Sequence, residues 1–238
     1  MQPSLEHCIW FQEQEFAFIY LPKVACTSWK LYLWQASGNV LPPKLKYRDV
    51  HDPRLLALPY VGNMPINRQR DFLNKLEQGQ LMAMAVIREP RSRVLSAYLD
   101  KILLHSNPQS KFSRSVLPAI QSTFGLATEQ RPSFEQFLSW NRAQPDVQHW
   151  NPHWRPMVHL LGSTERLQLW TMEAISSAVR AANKRFNCDL SFPHRQALGH
   201  RPTNNSQLQL EQFYGQQEKT LIKEMYWEDI QLHAALNA

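Results

Sequence analysis

The chain alternates short, wholly apolar segments with segments of helical period. FAFIYL at 16–21, LMAMAVI at 81–87 and LQLWT at 167–171 are the apolar runs, and such runs are typical of strands buried on both faces. Helices are predicted over 27–36, 90–104, 134–140, 172–186 and 207–236, the last with a break at Gly215. Strands that alternate with helices indicate an α/β fold with a mainly parallel sheet.

Two stretches do not fit this alternation. Residues 41–70 are rich in proline and are expected to be irregular, and 105–133 form a long excursion. A long loop of this kind in a compact protein is often functional, and we interpret 105–148 as a lid or acceptor-site insertion. The 238 residues are enough for one domain with a sizeable core, so a single domain over 1–238 is predicted.

The formal net charge of +6 favours an anionic partner. The basic residues are spread along the chain, which argues against nucleic acid. The three cysteines form no CxxC pair, which speaks against a disulfide framework and a structural zinc site and suits a reducing compartment. No signal peptide and no membrane-spanning run is visible, so a soluble, cytoplasmic protein is expected.

The first candidate for an anion site is a strand that leads directly into a helix. In FAFIYLPKVACTSWK the loop contains Lys23, and the predicted helix starts at Thr27 and Ser28. A helix N-terminus attracts anions through its N–H groups and dipole, and these three side chains add donors. No glycine occurs between residues 1 and 37, so a Walker A loop is excluded, and GxGxxG is absent. The open alternative is a solvated Lys23 and a Thr27 that only caps the helix.

The second candidate lies at the end of the second predicted strand. Arg88 follows the strand directly, and Ser96 lies on the next helix, with Pro90 suited to its first turn. A guanidinium group suits a phosphate, and a hydroxyl on that helix can reach the same anion. The alternative is an Arg88 that pairs with Glu89 or Asp100 and a Ser96 that is a small packing residue.

These motifs resemble those of a known family. PKVACTSWK is similar to the 5'-phosphosulfate loop of carbohydrate sulfotransferases, particularly the branch of the chondroitin, dermatan and HNK-1 enzymes. REPRSRVLSAYLDK resembles that family's 3'-phosphate motif, and the resemblance extends over roughly 16–232. It implies a three-layer, P-loop-like fold with the central, mainly parallel sheet flanked by helices. It also implies 3'-phosphoadenosine-5'-phosphosulfate (PAPS) as donor and 3'-phosphoadenosine-5'-phosphate (PAP) as product, with no metal.

The resemblance also assigns roles to residues. Lys23 would contact the oxygen that bridges sulfate and phosphate, and Arg88 and Ser96 would bind the 3'-phosphate. The 5'-phosphate would be held by the loop and helix start, which comprise Pro22, Lys23, Val24, Ala25, Cys26, Thr27 and Ser28. Thr203, in the family-like HRPTN segment, would close over the nucleotide.

Transfer to a hydroxyl needs a group that accepts its proton, and histidine suits this near neutral pH. His51 resembles the histidine that serves as base in the heparan 2-O-sulfotransferase branch, and His153 matches the HW-x-P segment of the 4-O and HNK-1 branch. We predict His51, slightly ahead of His153, as the base. The alternative for each is a surface or packing role, and HWNPHW is only a weak metal signal.

The resulting prediction is a PAPS-dependent sulfotransferase that acts on a hydroxyl, expected to be that of a carbohydrate. The alternatives are a P-loop-like, nucleotide-dependent kinase and a non-catalytic nucleotide-binding module. The family's membrane anchor and its cysteines near the HW segment are not found, which indicates a soluble, bacterial-type relative. The acceptor and the oligomeric state stay open at this point.

Overall fold

The structure is a computed structural model that describes residues 1–104, 110, 112–193, 206 and 208–238. Its strands are β1 (Cys8–Phe11), β2 (Phe16–Ile19), β3 (Met82–Ile87) and β4 (Leu167–Thr171). Its helices are α1 (Cys26–Ala36), α2 (Ile66–Glu77), α3 (Pro90–Tyr98), α4 (Leu117–Thr123), α5 (Phe134–Arg142), α6 (Met157–Leu161), α7 (Ile175–Phe186), α8 (Leu210–Phe213), α9 (Gln216–Met225) and α10 (Trp227–Ala235).

The chain forms two compact units. The first comprises residues 1–88, 157–202 and 236–238, and the second comprises 89–156 and 203–235. Because neither unit is one contiguous stretch, the prediction of a single domain over 1–238, with a lid at 105–148, stays a prediction.

The first unit contains a four-stranded sheet in the order β1-β2-β3-β4. β1 runs antiparallel to β2, and β2, β3 and β4 run parallel to one another. The three apolar runs in the sequence therefore became the three parallel strands, as predicted. Parallel neighbours end at the same edge of a sheet, so the residues that follow β2 and β3 are close together.

Both faces of this sheet are covered by helices of the same unit. Phe18 of β2 contacts Trp29 of α1, with ring centroids 4.6 Å apart. Trp10 of β1 stands opposite Ala17, and its ring lies 5.6 Å from that of Phe72 in α2. Since successive residues of a strand point to opposite faces, Ala17 and Phe18 mark the two sides of the sheet. The predicted three-layer α/β arrangement is confirmed.

The second unit is helical in its described part. α3 continues from Tyr98 into a π-helical turn over Leu99–Leu103, which together fill the helix predicted for 90–104. Glu89 caps α3 by accepting hydrogen bonds from the backbone N–H groups of Arg91 and Ser92, and Pro90 takes the first-turn position. The core of this unit is rich in aromatic side chains, among them Tyr98, Phe112, Phe134, Phe137, Trp150, Trp154, Tyr214 and Tyr226.

Four elements were not predicted, namely β1, α2, α4 and α6. α4 lies within 105–133, so the expectation of a long loop there was wrong over Leu117–Thr123. The prediction that 41–70 is irregular was wrong from Ile66 onward, where α2 begins after Pro65. Only Phe72 and Leu76 of α2 are buried, so the helix leaves a weak periodic signal. β1 was missed because a strand of four residues is too short to show a period. The C-terminal helices are interrupted at Gly215, as predicted, and again at Tyr226.

Candidate active site

The loop between β2 and α1 has an unusual backbone for a segment without glycine. Lys23 has φ 70° and Ala25 has φ 48°, both in the left-handed region that non-glycine residues rarely adopt. Ala25 is the N-cap residue of α1, and its methyl side chain offers no acceptor to the first-turn N–H groups. Backbone strain of this kind is concentrated at functional sites, and turns with left-handed residues form anion-binding nests.

The other predicted members of this loop are mostly enclosed. Thr27 and Ser28 lie in the first turn of α1 and are buried, as are Pro22 and Val24. Lys23 and Cys26 are half-buried. The loop and helix start thus combine a half-buried lysine with two buried residues that carry hydroxyls.

Arg88 connects the second motif to the first within the same unit. It is the residue after β3, and its Nη1 donates to the carbonyl oxygen of Lys23 at 3.0 Å. Because β2 and β3 are parallel neighbours, Arg88 and the loop lie at the same edge of the sheet. The structure therefore places a guanidinium and a lysine of two separate motifs around one loop.

His51 lies at the end of a 3₁₀ turn, Tyr47–His51, and contacts α1. Its Nε2 is 3.1 Å from Thr27 Oγ1, and its Nδ1 is 3.3 Å from Lys30 Nζ. A protonated lysine only donates, so Nδ1 accepts from Lys30 and the ring proton is on Nε2. Nε2–H then donates to Thr27, and the Thr27 hydroxyl keeps its own proton for an anion.

Lys30 is an unusually enclosed lysine, only 4% exposed. Its Nζ lies 4.1 Å from the centroid of the Tyr20 ring and 5.2 Å from that of Tyr60, and both rings attract a cation. Burial lowers the pKa of Lys30 below its usual value, with a smaller opposing effect from Cys26. The same burial raises the pKa values of Tyr20 and Tyr60, so both phenols stay protonated.

The remaining predicted residues belong to the second unit or lie outside the described residues. Ser96 is buried in α3, and His153 is half-buried in the segment before α6. Thr203 lies outside the described residues. The structure therefore brings Lys23, Thr27, His51 and Arg88 together in one unit and places Ser96 and His153 in the other.

His153 is held by Asn151. The backbone N–H of His153 donates to Asn151 Oδ1 at 3.0 Å, and His153 Nδ1 lies 2.7 Å from the same oxygen. Both groups line a cleft of about 310 Å³ within the second unit. The other polar or aromatic side chains along this cleft are Lys101, Ser110, Phe112 and Ser115.

The backbone around His153 is fixed from other parts of the same unit. Arg93 of α3 is fully buried and donates to the carbonyl oxygens of Pro152 and Arg155, each at 2.9 Å. The Tyr226 hydroxyl donates to the carbonyl oxygen of Trp154. Burial lowers the pKa of Arg93, and Asp229 opposes this effect. Arg93 and Tyr226 thus hold the backbone of residues 150–155, the His153 segment, in place.

Sequence reasoning did not assign Lys30, Arg93 or Asn151. Asn151 left a readable signal, because asparagine often bonds the backbone two residues further on, here that of His153. Lys30 and Arg93 stand inside the two quoted motifs, but charged residues are rarely buried, so their enclosure was not expected.

The two histidines of HWNPHW, a weak metal signal in the sequence, have different partners in the structure. In HWNPHW, His149 pairs with Asp146 at 2.8 Å, whereas His153 bonds Asn151. Over the ranges that the structure describes, no group of three His, Cys, Asp or Glu side chains is placed to hold a metal ion. None of the described helices combines the length and apolarity needed to cross a bilayer.

The α/β fold, with a strand that leads through a glycine-free loop into a helix, is that of a P-loop-like protein. Residues 6–234 match the model of the Sulfotransferase family, and the chain belongs to that family. It is 26% identical to "Carbohydrate sulfotransferase 14" of Mus musculus over 86% of this chain and 53% of that protein. The same-named protein of Danio rerio is 26% identical over 69% of this chain and 46% of its own length.

A second type of relative matches a shorter region. "Carbohydrate sulfotransferase 11" of Danio rerio is 30% identical over 45% of this chain and 30% of its own length. The chain spans about half the length of the carbohydrate sulfotransferase 14 relatives that it matches. No solved structure matches the chain significantly.

Proposed function

We propose that this protein transfers a sulfuryl group from PAPS to a hydroxyl of a carbohydrate. The observation that carries the proposal is the hydrogen bond from Arg88 to the Lys23 carbonyl oxygen, because it joins the two motifs predicted to bind anions at one edge of the sheet. Open α/β sheets bind ligands at the carboxyl ends of their strands. The carbohydrate part is supported by the names of the relatives.

The donor would be held by its two phosphate ends. The 5'-phosphosulfate would lie on the N–H groups of the loop and of the first turn of α1, with the Thr27 and Ser28 hydroxyls as further donors. Arg88 would meet the 3'-phosphate, since a guanidinium binds phosphate with two parallel hydrogen bonds. Ser96 and Thr203 keep their predicted places in this set through the family resemblance.

The reaction would be an in-line displacement at sulfur. The acceptor oxygen forms a bond to sulfur while the bond between sulfur and the bridging oxygen breaks, and PAP leaves with that oxygen. Lys23 would stabilise the negative charge that develops on the bridging oxygen, as positioned cations do in phosphoryl transfer. The acceptor's proton would pass to a histidine, for which His51 and His153 are the two candidates.

Assays of transfer test this proposal directly. The purified chain is incubated with radiolabelled PAPS and a panel of desulfated polysaccharides and small hydroxylated molecules, and labelled product is counted. Sulfuryl transfer predicts label in at least one acceptor and stoichiometric PAP. A nucleotide-dependent kinase would instead transfer the γ-phosphate of Mg-ATP, and a non-catalytic module would bind PAP without turnover.

The cytoplasmic location and the bacterial-type origin stay predictions. The acceptor panel therefore includes both glycans and small molecules.

A further inference from the structure

The two candidate bases have different hydrogen-bonding environments. We infer that His153, positioned by Asn151, accepts the acceptor's proton, and that the cleft it lines is the acceptor subsite. His51 with Lys30 instead supports the donor loop, residues 20–28, through Thr27. The inference rests on the proposed sulfuryl transfer and adds the assignment of the base and of the acceptor site.

The hydrogen bonds of Asn151 determine the tautomer of His153. A backbone N–H is always a donor, so the Asn151 atom 3.0 Å from His153 N must be the carbonyl oxygen Oδ1. The same oxygen lies 2.7 Å from His153 Nδ1, so Nδ1 carries the proton. In the neutral ring Nε2 is then the proton-accepting atom. This arrangement, a base with its second nitrogen bonded to an orienting group, is the one found in acid–base catalysis.

His51 has the opposite arrangement. Lys30 donates to its Nδ1, so its proton is on Nε2 and is given to Thr27. The direction of donation runs from Lys30 through His51 and Thr27 toward the anion loop. In this state the one accepting nitrogen of His51, Nδ1, is already bonded to Lys30, which makes His51 the weaker candidate for the base.

The cleft beside His153 has the size and polarity of a site for a small hydroxylated molecule. Its volume of about 310 Å³ falls at the lower end of the range of about 300–1,000 Å³ for small-molecule sites. Phe112 provides an aromatic wall, and Ser110, Ser115 and Asn151 give the cleft a polar lining, which suits one ring-sized group of a polar acceptor. A larger cleft of about 440 Å³, which includes Arg91, Lys219 and Trp227, contains none of the predicted site residues.

Charged groups of the same unit lie along the cleft and along the backbone of the His153 segment, residues 150–155. Lys101 lines the same cleft and pairs with Asp100 at 3.2 Å. The Arg93 guanidinium donates to the carbonyl oxygens on either side of the His153–Trp154 pair, those of Pro152 and Arg155. Arg93 therefore fixes the backbone on both sides of His153.

The pH dependence of kcat/KM tests the role of His153 through Asn151. Asn151→Asp places a carboxylate against Nδ1 and stabilises the imidazolium, so the acid limb of the profile should move up by about one pH unit or more. His153→Gln should lower kcat by about 10²- to 10⁴-fold. His149→Gln is the matched control, because His149 is 86% exposed and pairs with Asp146, and both limbs should stay unchanged.

Calorimetry with PAP on the same variants separates the inference from the proposed function. Asn151→Asp and His153→Gln should bind PAP with the wild-type Kd. His51→Gln should raise the Kd for PAP by about two- to twelvefold, which is the value of one hydrogen bond. The acid limb of its kcat/KM profile should stay unchanged. An acid limb that disappears in His51→Gln, or wild-type kcat in His153→Gln, would overturn the inference and leave the proposed function standing. A wild-type chain that binds no PAP would overturn both.

Discussion

The donor loop and the His153 segment are held in place in different ways. The donor loop, residues 20–28, has its shape in its own backbone, with left-handed conformations at Lys23 and Ala25. The His153 segment, residues 150–155, is held by distant side chains, those of Arg93 and Tyr226. A phosphate site needs backbone N–H groups at fixed positions, and a loop can provide these by its own conformation. A proton-accepting side chain such as His153 must instead be positioned by the packing of the unit around it.

The largest expected effect is the loss of folding stability when Arg93 of the second unit is replaced. Arg93→Met removes two hydrogen bonds to the His153 segment and leaves buried Asp229 without the cation that faces it. Loss of one partner of a buried charged pair costs about 3–5 kcal/mol, so the free energy of unfolding should fall by that amount. Urea denaturation measures it. Arg142→Met is the control, because Arg142 is 58% exposed in its pair with Glu224 and should cost about 0.5 kcal/mol or less. Equal losses in the two variants would contradict this account of the segment.

The next effect is on chemistry at the donor loop. Lys23→Ala should lower kcat by about 10²- to 10³-fold, the usual cost of removing one preorganised donor to a developing charge. Lys44→Ala is a matched control, since Lys44 also has a left-handed φ of 63° and is exposed in the same unit. Steady-state turnover of PAPS distinguishes the two. Turnover of Lys23→Ala within twofold of wild type would remove Lys23 from the mechanism.

A smaller effect is expected on nucleotide affinity. Arg88→Ala should raise the Kd for PAP by about 10- to 150-fold, which corresponds to a charge-assisted hydrogen bond of about 1.5–3 kcal/mol. The Kd for AMP, which has no 3'-phosphate, should rise less. Arg91→Ala serves as the control, because Arg91 is 48% exposed and pairs with Glu89. A uniform loss for PAP and AMP would give Arg88 a role in loop shape alone.

The smallest effect concerns the backbone of the donor loop. Ala25→Gly relieves a left-handed alanine, worth about 1–2 kcal/mol, and adds about 0.5–1 kcal/mol of chain entropy to the unfolded state. The free energy of unfolding should therefore rise by up to about 1.5 kcal/mol. Ala36→Gly, at the other end of α1, should lower it by about 0.5–1 kcal/mol. Thermal denaturation of the two variants tests whether Ala25→Gly raises Tm while Ala36→Gly lowers it.

The two regions also differ in how much the sequence predicts. Lys23, Thr27 and Ser28 are neighbours in one contiguous motif, and Arg88 directly follows a predicted strand. Local patterns therefore identified the loop and Arg88, and the structure places Arg88 against the loop. Asn151 and His153 are also close in sequence. Arg93, however, bonds the His153 segment at sequence separations of 59 and 62 residues, and no local pattern predicts such contacts. The same holds for Lys30, whose contact with His51 spans 21 residues. Thr203 and the single-domain organisation stay predictions.

The central claim is that the loop at Lys23 and the guanidinium of Arg88 together bind a 3',5'-bisphosphorylated nucleotide. Isothermal titration of the wild-type chain with PAP, AMP and ATP tests it most directly. The account predicts that PAP binds at least tenfold more tightly than either of the others, because only PAP presents anions to both motifs. Equal affinity for the three nucleotides, or no binding of PAP, would contradict it.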